Sequence, residues 1–290
     1  MSNTLSSTYQ APSPLKKFIK RTLRNRSIMV GLTIISLIIL IAILAPILTH
    51  RDPLAIDPVN RLTPPNRTYL FGTDSLGYDL YTRTIYGSRI SLFTGFMVTL
   101  LSGTMGVILG LICGYIPKVD AIIMRILDGL MAFPTILLAI ALMAVLGAQL
   151  SNVIIALSIV YTPSVARVVR SVVLTIKETE YIEAAQALGA SSTRTIFKHI
   201  LPNCLAPIII QASFIFAQSI LAEAALSFLG VGVPPYIPTW GSIMTDGRIF
   251  IRVAPWIIFF PGLAVMISVL GLNLLGDGLR DVLDPRLKSL

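Results

Sequence analysis

The sequence has few charged residues and few of the residue types that catalyse reactions. Charged side chains make up 13% of the 290 residues, against roughly a quarter in a typical soluble domain, while 54% are hydrophobic. No G-x-x-x-x-G-K-[ST], H-E-x-x-H or G-x-S-x-G motif occurs. The composition therefore excludes a soluble fold, and the motifs give no support to an enzyme that hydrolyses ATP itself.

Cysteine and histidine are scarce, with two of each. Cys113 and Cys204 fall at the ends of apolar runs, and neither His50 nor His199 has a second ligand at a metal-binding spacing. We therefore predict no catalytic residue, no metal site, no disulfide and no cofactor bound by this chain. If ATP drives its function, ATP and Mg²⁺ must be bound by partner subunits.

Long apolar runs, by contrast, recur along the chain. Crossing the hydrocarbon core takes about 20 residues of helix. Six runs are long enough, at residues 28–48, 92–115, 129–150, 153–169, 204–229 and 254–276. Backbone amides must be paired within hydrocarbon, so these runs have to be helical. We predict an all-α membrane protein with six transmembrane helices, the first a retained anchor because no small-residue cleavage site follows it.

Lysine and arginine are concentrated in alternate connections. The first run follows a basic cluster without acidic residues: Lys16, Lys17, Lys20, Arg21, Arg24 and Arg26. Because such residues stay on the cytoplasmic side, we predict a multi-pass protein of the bacterial inner (plasma) membrane with both termini inside. The N-terminal tail (1–27) and the C-terminal tail (277–290) would be cytoplasmic, and the segment 49–90 periplasmic. Anionic lipid explains the net charge of +9 better than nucleic acid does.

The segment 49–90 begins with scattered prolines and ends in FGTDSLGYDLYTRTIYGSRISL, at 71–92. Thr73 or Asp74 is a plausible N-cap, and Asp79 precedes Arg83 by four residues, the spacing of a helical ion pair. We predict a short helix that lies on the outer surface of the membrane.

The connection between the fourth and fifth runs, residues 175–203, reads TIKETEYIEAAQALGASSTRTIFKHILPN. Four residues at helical spacing form a thin apolar face: Tyr181, Ala184, Ala185 and Leu188. Gly189 can adopt positive φ at the end of this helix, and Ser191 or Ser192 can cap the next one. A second apolar stripe runs on to Leu201, until Pro202 stops it. The pattern predicts two short helices joined by a sharp turn, which from the residues alone could also be a hairpin packed on its own bundle.

One motif in this connection resembles the EAA loop of binding-protein-dependent ABC importer permeases. Glu183-Ala184-Ala185, three residues, Gly189, nine residues and His199-Ile200-Leu201-Pro202 follow the family pattern, except that relatives usually have isoleucine at the His199 position. The resemblance implies that the loop docks on an ATPase subunit. The implied coupling residues are Tyr181, Glu183, Ala184, Ala185, Leu188, Gly189, His199, Leu201 and Pro202.

Further motifs, in the same order along the chain, are similar to the dipeptide, oligopeptide and nickel permeases, and more narrowly to their second permease subunit. They are the segment 71–92, RILDGLMAFPTILLAIALMAVLG (125–147), EAALSFLGVGVPP (223–235) and NLLGDGLRDVLDPR (273–286). Tyr78 departs from the longer polar side chain usual in relatives. The resemblance runs from about Leu15 to the end and implies a type I ABC importer permease fold with its core at residues 91–276.

The resemblance also implies partners and a class of solute. A second related permease would complete a heterodimer, two ATP-binding-cassette subunits would hydrolyse ATP, and a periplasmic or extracellular binding protein would deliver the solute. Dipeptides or short peptides are the expected solutes, with nickel chelates and glutathione as alternatives. A rival of another class is a secondary transporter or channel that acts without an ATPase. An intramembrane enzyme and a non-transporting scaffold are further alternatives.

Glu223 is the one ionisable residue deep within a predicted span. A charge there costs a few kcal/mol unless it faces a polar interior, so it is a candidate pore or interhelix polar site. A proton relay would need a second intramembrane acid or histidine, and a hydrogen bond to a neighbouring helix is the simpler interpretation.

Small and rigid residues interrupt other predicted spans. Gly103, Gly106 and Gly110 predict close helix packing on the second span, and Pro134, Pro163 and Pro261 predict breaks or kinks. Either set could instead provide hinges.

Overall fold

The computed structural model describes residues 21–283. The predicted tails lie partly outside this range, including Lys16, Lys17, Lys20 and the last residues of the 273–286 motif. The helices are α1 (Arg26–Ile43), α2 (Ala45–Leu48), α3 (Leu80–Tyr115), α4 (Pro117–Met131), α5 (Thr135–Leu146), α6 (Leu150–Lys177), α7 (Glu180–Ala187), α8 (Ser192–Thr195), α9 (Leu201–Phe228), α10 (Trp240–Phe250) and α11 (Trp256–Leu283). A π-helical turn, Ile196–Ile200, joins α8 to α9.

Five helical stretches of the described chain are long and apolar enough to cross a membrane. They are α1, α3, α6, the continuous stretch Ser192–Phe228 and α11. The pair α4 and α5, bent by 95°, makes a sixth if it counts as one span. The prediction of an all-α protein with about six membrane helices is therefore confirmed, whereas the side on which the termini lie stays a prediction.

The third predicted span, 129–150, is not one straight helix. Helix α4 ends at Met131, and α5 starts at Thr135 with Pro134 as its N-cap residue. Proline lacks the N–H that a continuing helix needs, and it disfavours helical backbone at Phe133 before it. The twelve residues of α5 rise only about 18 Å, so the crossing needs α4 as well.

Helices α3 and α6 run parallel. The bent pair of α4 and α5, which connects them, must therefore carry the chain back across the bundle. Gly106 faces Val165, Gly110 faces Val169 and Gly114 faces Val173, so both sequences advance in the same direction along the contact. Residues 116–149 therefore return the chain from the end of α3 to the level of about residue 91 within it. This return is a geometric argument for a sixth crossing.

The two ends of the bundle are distinguished by their connections. The Trp256 indole N–H at the start of α11 donates to the Thr73 carbonyl at 3.1 Å, near the start of α3, and we name this side the Asp79 end. At the other side the Lys177 ammonium donates to the Tyr115 carbonyl at 3.2 Å, and we name it the hairpin end. Because Gly278 of α11 packs on Ile28 of α1, α1 begins and α11 ends at the hairpin end.

The segment 71–92 does not form a separate short helix. Leu80 opens the 36-residue helix α3, and Asp79 is its N-cap, with a carboxylate that accepts from the Tyr81 N–H at 3.3 Å and from the Thr82 hydroxyl at 2.7 Å. The cap satisfies the free N–H groups of the first turn, and no proline follows to end the helix. Arg83 pairs with Asp74 at 3.1 Å rather than with Asp79.

Gly110 provides a test of the α3–α6 contact. A Cβ at Gly110 would lie 2.6 Å from the Val169 Cβ and 2.7 Å from the Ala166 carbonyl oxygen, whereas a Cβ at Gly103 would meet nothing within 4 Å. Gly103, predicted to be a packing residue, does not pack closely on another helix within residues 21–283. We expect Gly110→Ala to destabilise the protein by about 1–3 kcal/mol and Gly103→Ala to be neutral or slightly stabilising. Thermal unfolding of the purified protein measures both, and equal melting temperatures would contradict the contact.

Candidate functional site

The connection 175–203 forms the predicted helix–turn–helix, which we name the hairpin. Gly189 has φ +86°, and the Ala190 N–H donates to the Ala185 carbonyl at 3.0 Å, the bond that closes a Schellman C-cap. Ser191 then caps α8, since its hydroxyl accepts from the Arg194 N–H at 3.4 Å. The local sequence is thus sufficient to turn the chain between α7 and α8.

The hairpin turns its predicted apolar face outward. Leu188 is 90% exposed and Tyr181 49% exposed, while Ile182 of the same helix is fully buried. Ala184 is exposed and Ala185 half-buried. Contiguous exposed apolar groups are typical of surfaces that contact another protein, and the small alanines would allow such a surface to approach the backbone.

Glu183 and His199 lie on opposite halves of the hairpin. The Glu183 side chain is exposed and forms no ion pair with any residue in the range 21–283, so it is available to a cationic partner. His199 is half-buried, and its ring lies 6.2 Å from that of Tyr181. The hairpin therefore presents the exposed Glu183 carboxylate beside an apolar, small-residue face.

Pro202 does not stop the helix, contrary to the sequence prediction. It stands in the first turn of α9, and the preceding π-helical turn keeps the stretch from Ser192 to Phe228 continuous. The Leu201 N–H donates to the Ile196 carbonyl, five residues back. A wider turn accommodates a residue that has no N–H and whose ring would clash with the carbonyl four residues earlier.

Glu223, on α9, is fully buried and joins three elements near the Asp79 end. The Ser227 hydroxyl donates to its Oε1 at 2.9 Å, and the Ser91 hydroxyl of α3 to its Oε2 at 3.4 Å. The Thr239 hydroxyl, at the N-cap of α10, is also within hydrogen-bonding reach. We name these residues the Glu223 cluster, and it brings hydroxyl donors and a helix N-terminus to one carboxylate.

Backbone groups set the direction of these hydrogen bonds. Ser91 Oγ accepts from the Trp240 N–H at 3.2 Å, and Ser227 Oγ accepts from the Val233 N–H at 3.1 Å. Each hydroxyl proton is therefore free to point at the carboxylate. The Glu223 cluster fixes the start of α10 against α3 and α9, and the contacts are those of an interhelix site.

A second buried polar cluster stands closer to the segment 49–79. Arg83 and Asp74 are each only 1% exposed, and the Arg83 Nη2 also donates to the Pro235 carbonyl at 2.9 Å. Burial raises the pKa of Asp74, while Arg83 and the backbone N–H groups of Tyr78 and Leu76 oppose the rise. Burial likewise raises the pKa of Asp246 on α10, and Arg83 opposes it.

Comparisons with known proteins identify the family. The model of the binding-protein-dependent transport system inner membrane component matches residues 106–289, and the N-terminal TM domain of oligopeptide transport permease C matches residues 13–65. The dipeptide transport system permease protein DppC of Alkalihalophilus pseudofirmus is 49% identical over 282 residues, 97% of this chain and 93% of that protein.

Two further relatives agree. The di/tripeptide transport system permease protein DppC of Pseudomonas aeruginosa is 42% identical over 285 residues, 96% of this chain and 94% of the relative. The oligopeptide transport system permease protein OppC of Bacillus subtilis is 43% identical over 266 residues, 91% of this chain and 87% of the relative. This chain belongs to the binding-protein-dependent permease family. The resemblance drawn from its sequence motifs is thereby confirmed.

Several residues that organise this permease were not identified from its sequence. Ile182 is the fully buried residue of α7, and Ser91 and Thr239 complete the Glu223 cluster. Ile182 is adjacent in sequence to the apolar face of α7 but is not part of that face. An isoleucine in this position could have indicated a second apolar face on the helix, and hence its burial. Ser91 and Thr239 are small polar residues in apolar surroundings, and only the packing of α3, α9 and α10 shows what they contact.

The Glu223 cluster predicts different results for two substitutions. Glu223→Gln keeps the shape and one acceptor oxygen, so we expect solute uptake to stay within about twofold of the native value. Glu223→Ala leaves buried hydroxyl donors without an acceptor and should cost about 2 kcal/mol of stability. Uptake and thermal unfolding measure the two effects. A complete loss of uptake in Glu223→Gln with normal folding would instead support a proton relay.

Proposed function

We propose that this chain is the second-type permease subunit of an ATP-binding-cassette importer that translocates dipeptides or short peptides across the inner membrane. The observation that carries the proposal is the hairpin, which exposes Glu183, Ala184 and Leu188 on a thin face at one end of the bundle. The peptide permeases to which the chain is similar over nearly its whole length support the choice of solute.

The hairpin can act as a lever because it continues into spanning helices on both sides. Helix α6 leads into α7, and the stretch Ser192–Phe228 leads out as one helix, roughly 55 Å long at 1.5 Å per residue. Glu223 lies near the far end of that stretch. A displacement of the hairpin by a docked ATPase would therefore move helix ends at both sides of the membrane together.

Ion pairs connect this lever to the bent pair. Arg170 of α6 binds Asp120 of α4 through two hydrogen bonds, the Nη2–Oδ2 distance being 2.6 Å, and Arg167 binds Asp128 at 2.6 Å. A two-pronged arginine–carboxylate contact resists rotation better than a single bond. Movement of α6 would thus move α4 as well, so a coupled reorientation of the bundle gives alternating access to a solute path.

We propose an assembly that is consistent with these elements. The hairpin end faces the cytoplasm, which puts both termini inside, and the segment 49–79 and α10 face the periplasm. A second related permease supplies the other half of the pore, two ATPase subunits each bind one hairpin, and a binding protein delivers the solute. ATP and Mg²⁺ are bound by the ATPase subunits.

Reconstitution of the full importer tests the solute. The permease, its partner permease, the ATPase subunits and the binding protein are placed in liposomes, and uptake of a radiolabelled dipeptide is compared with that of a nickel chelate and of glutathione. We expect ATP-dependent dipeptide uptake that needs every subunit. Uptake by this chain alone, driven by an ion gradient, would support a secondary transporter instead.

The turn at Gly189 allows a test of the lever. A β-branched residue is strongly disfavoured at φ +86°, and a Cβ there would meet nothing within 4 Å, so the effect acts through the backbone. Gly189→Val should lower uptake roughly tenfold by costing about 1–2 kcal/mol in hairpin geometry. Gly189→Asn, which tolerates positive φ, is the control and should retain most uptake. Equal uptake by the two variants would show that the turn geometry does not matter.

A further inference from the structure

Three amide side chains lie deep within apolar helices. Gln211 and Gln218 of α9 and Asn273 of α11 are each at least ten residues from either end of their helix. No other asparagine or glutamine in residues 21–283 lies as far inside a helix. An amide without a hydrogen-bond partner is costly in hydrocarbon, so polar residues within spans face the interior of a bundle, a partner or a water-filled path.

Gln218 and Asn273 lie at nearly the same depth in the bundle. Helices α9 and α11 run antiparallel and pack closely at Gly276, where a Cβ would lie 2.6 Å from the Ser213 Oγ. From this contact towards the Asp79 end, Asn273 is about 4.5 Å along α11 and Gln218 is about 7.5 Å along α9, at 1.5 Å per residue. The two amides therefore differ in depth by only about 3 Å, and Gln218 lies near the centre of the predicted span 204–229.

The amides belong to one open face that crosses three helices. Gln211 and Gln218 are two helical turns apart on α9, and the Gln211 side-chain N–H donates to the Ser164 Oγ of α6 at 3.4 Å. Gln218 is exposed, and the half-buried Asn273 lines a groove between α9 and α11. Neither of these two side chains forms a hydrogen bond within residues 21–283. We name Ser164, Gln211, Gln218 and Asn273 the polar band.

The outer face of α3, by contrast, has the composition of a surface that faces lipid. Phe93, Phe96 and Leu100 are exposed on it. Thr104 is exposed as well, but its hydroxyl donates to the Leu100 carbonyl of its own helix at 2.7 Å, so it brings no unpaired polar group into hydrocarbon. The amides of Gln218 and Asn273 make no such bond. The face that carries them is therefore suited to water or a polar ligand and not to lipid.

The groove beside the polar band has the chemistry of a site for short peptides. An amide side chain offers an N–H donor and a carbonyl acceptor, the same two groups that a peptide bond presents. Leu221 of α9 and Met266 and Leu270 of α11 also line the groove and are exposed, which gives apolar walls for solute side chains. The polar band carries no charge, so its contacts are weak enough for a bound solute to leave again.

The polar band also lies on the helix that the hairpin would move. The stretch from Ser192 to Phe228 is continuous, so a displacement of the hairpin shifts Gln211 and Gln218 with it. A solute site needs such a displacement in order to release the solute. A static interface with the second permease does not.

We propose that the polar band lines the solute path, and that Gln218 and Asn273 form hydrogen bonds with the peptide groups of the solute near the middle of the membrane. This inference rests on the proposed function and adds to it the residues that contact the solute. Because the contacts are made to the peptide group, the site accepts short peptides whatever their side chains.

Cysteine accessibility tests whether the polar band faces water. Gln218→Cys is made in a chain in which the buried Cys113 and Cys204 are replaced by alanine and whose uptake has been measured. The complete importer in nanodiscs is treated with a charged methanethiosulfonate that does not enter hydrocarbon. We expect modification to be about tenfold faster than that of Phe93→Cys in the same background, and to be slowed severalfold by saturating dipeptide and binding protein.

Uptake tests the hydrogen bonds themselves. Gln218→Leu and Asn273→Leu keep roughly the size of the side chain, and each should lower ATP-dependent dipeptide uptake about fivefold, the effect of losing one neutral hydrogen bond. Uptake of an N-methylated dipeptide, which lacks the peptide N–H, should fall by less than about twofold. Thr104→Val, which removes a hydroxyl that is already paired within α3, is the control and should transport normally. Size-exclusion chromatography confirms assembly of each variant.

Three results would overturn this inference and leave the proposed function intact. Modification of Gln218→Cys no faster than that of Phe93→Cys would mean that lipid or the second permease covers the polar band. Unchanged dipeptide uptake in both leucine variants would mean that the amides do not contact the solute. An equal loss for both dipeptides would assign the amides to helix packing. A native importer that takes up no dipeptide would instead overturn the proposed function and this inference together.

Discussion

Replacing Glu183 by lysine is expected to lower ATP-dependent solute uptake roughly 100-fold, because the change turns a charge-assisted contact into a repulsion in a desolvated interface. The Glu183 carboxylate is exposed and has no cation within residues 21–283 to pair with, so the substitution should leave the folding of the permease itself unchanged. Uptake and ATP hydrolysis by the reconstituted importer, with co-purification of the ATPase subunits, measure the effect.

Glu178→Lys is the matched control for this prediction. Glu178 is also exposed, stands at the C-cap of α6 outside the EAA motif, and gains a favourable interaction with the helix dipole when its charge is reversed. We expect near-native uptake from it. If Glu183→Lys and Glu178→Lys transport equally well, Glu183 is not part of a docking contact and the coupling role of the hairpin has to be given up.

Local patterns in the sequence predicted the elements that local chemistry determines. The apolar runs are helical because their length and composition leave no alternative in hydrocarbon, and the hairpin turns at Gly189 because that residue adopts positive φ without strain. The bend before Thr135 was harder to predict, although Pro134 indicates a break or a kink at this position. An apolar run does not reveal whether a proline is accommodated within a helix, as Pro163 and Pro261 are in α6 and α11, or ends it.

The polar clusters were only partly predictable because their members are far apart in the chain. Ser91 and Glu223 are 132 residues apart, and Arg83 and the Pro235 carbonyl are 152 apart. Asp74 and Asp79 are both plausible helix caps by local rules, and the choice between them depends on where Arg83 is held. Helix packing, which no periodicity encodes, decides these contacts.

The buried ion pair of Asp74 and Arg83 should be the most sensitive point of the Asp79 end. Arg83 connects the segment 49–79 to α3 and, through the Pro235 carbonyl, to the connection before α10. Its guanidinium also lies over the Tyr78 ring, 4.3 Å from the centroid. Arg83→Met removes the only cation of this cluster that the structure describes, and leaving a buried carboxylate unpaired typically costs about 3–5 kcal/mol.

The pH dependence of Arg83→Met provides a signed test. Arg83 opposes the rise that burial causes in the pKa of Asp74 and of Asp246, so both pKa values should rise further without it. A carboxyl whose pKa is higher in the folded than in the unfolded state favours folding only while it is protonated. This contribution to stability is lost as the pH rises from the ordinary carboxyl pKa of about 4 through the raised pKa of the folded state. The deficit of Arg83→Met relative to the native chain should therefore shrink when thermal unfolding is measured at about pH 5.5 instead of about pH 8.

Two companion variants make the result interpretable. Asp74→Asn with Arg83→Met removes both charges while the amide oxygen can still accept from the Leu76 and Tyr78 N–H groups, so most of the stability should return. Arg61→Met, exposed in the same segment, should change stability by less than about 0.5 kcal/mol. If the double variant is as unstable as Arg83→Met at both pH values, the arginine acts through its packing on Tyr78 and its bond to Pro235, and the unpaired carboxylate is not what destabilises the fold.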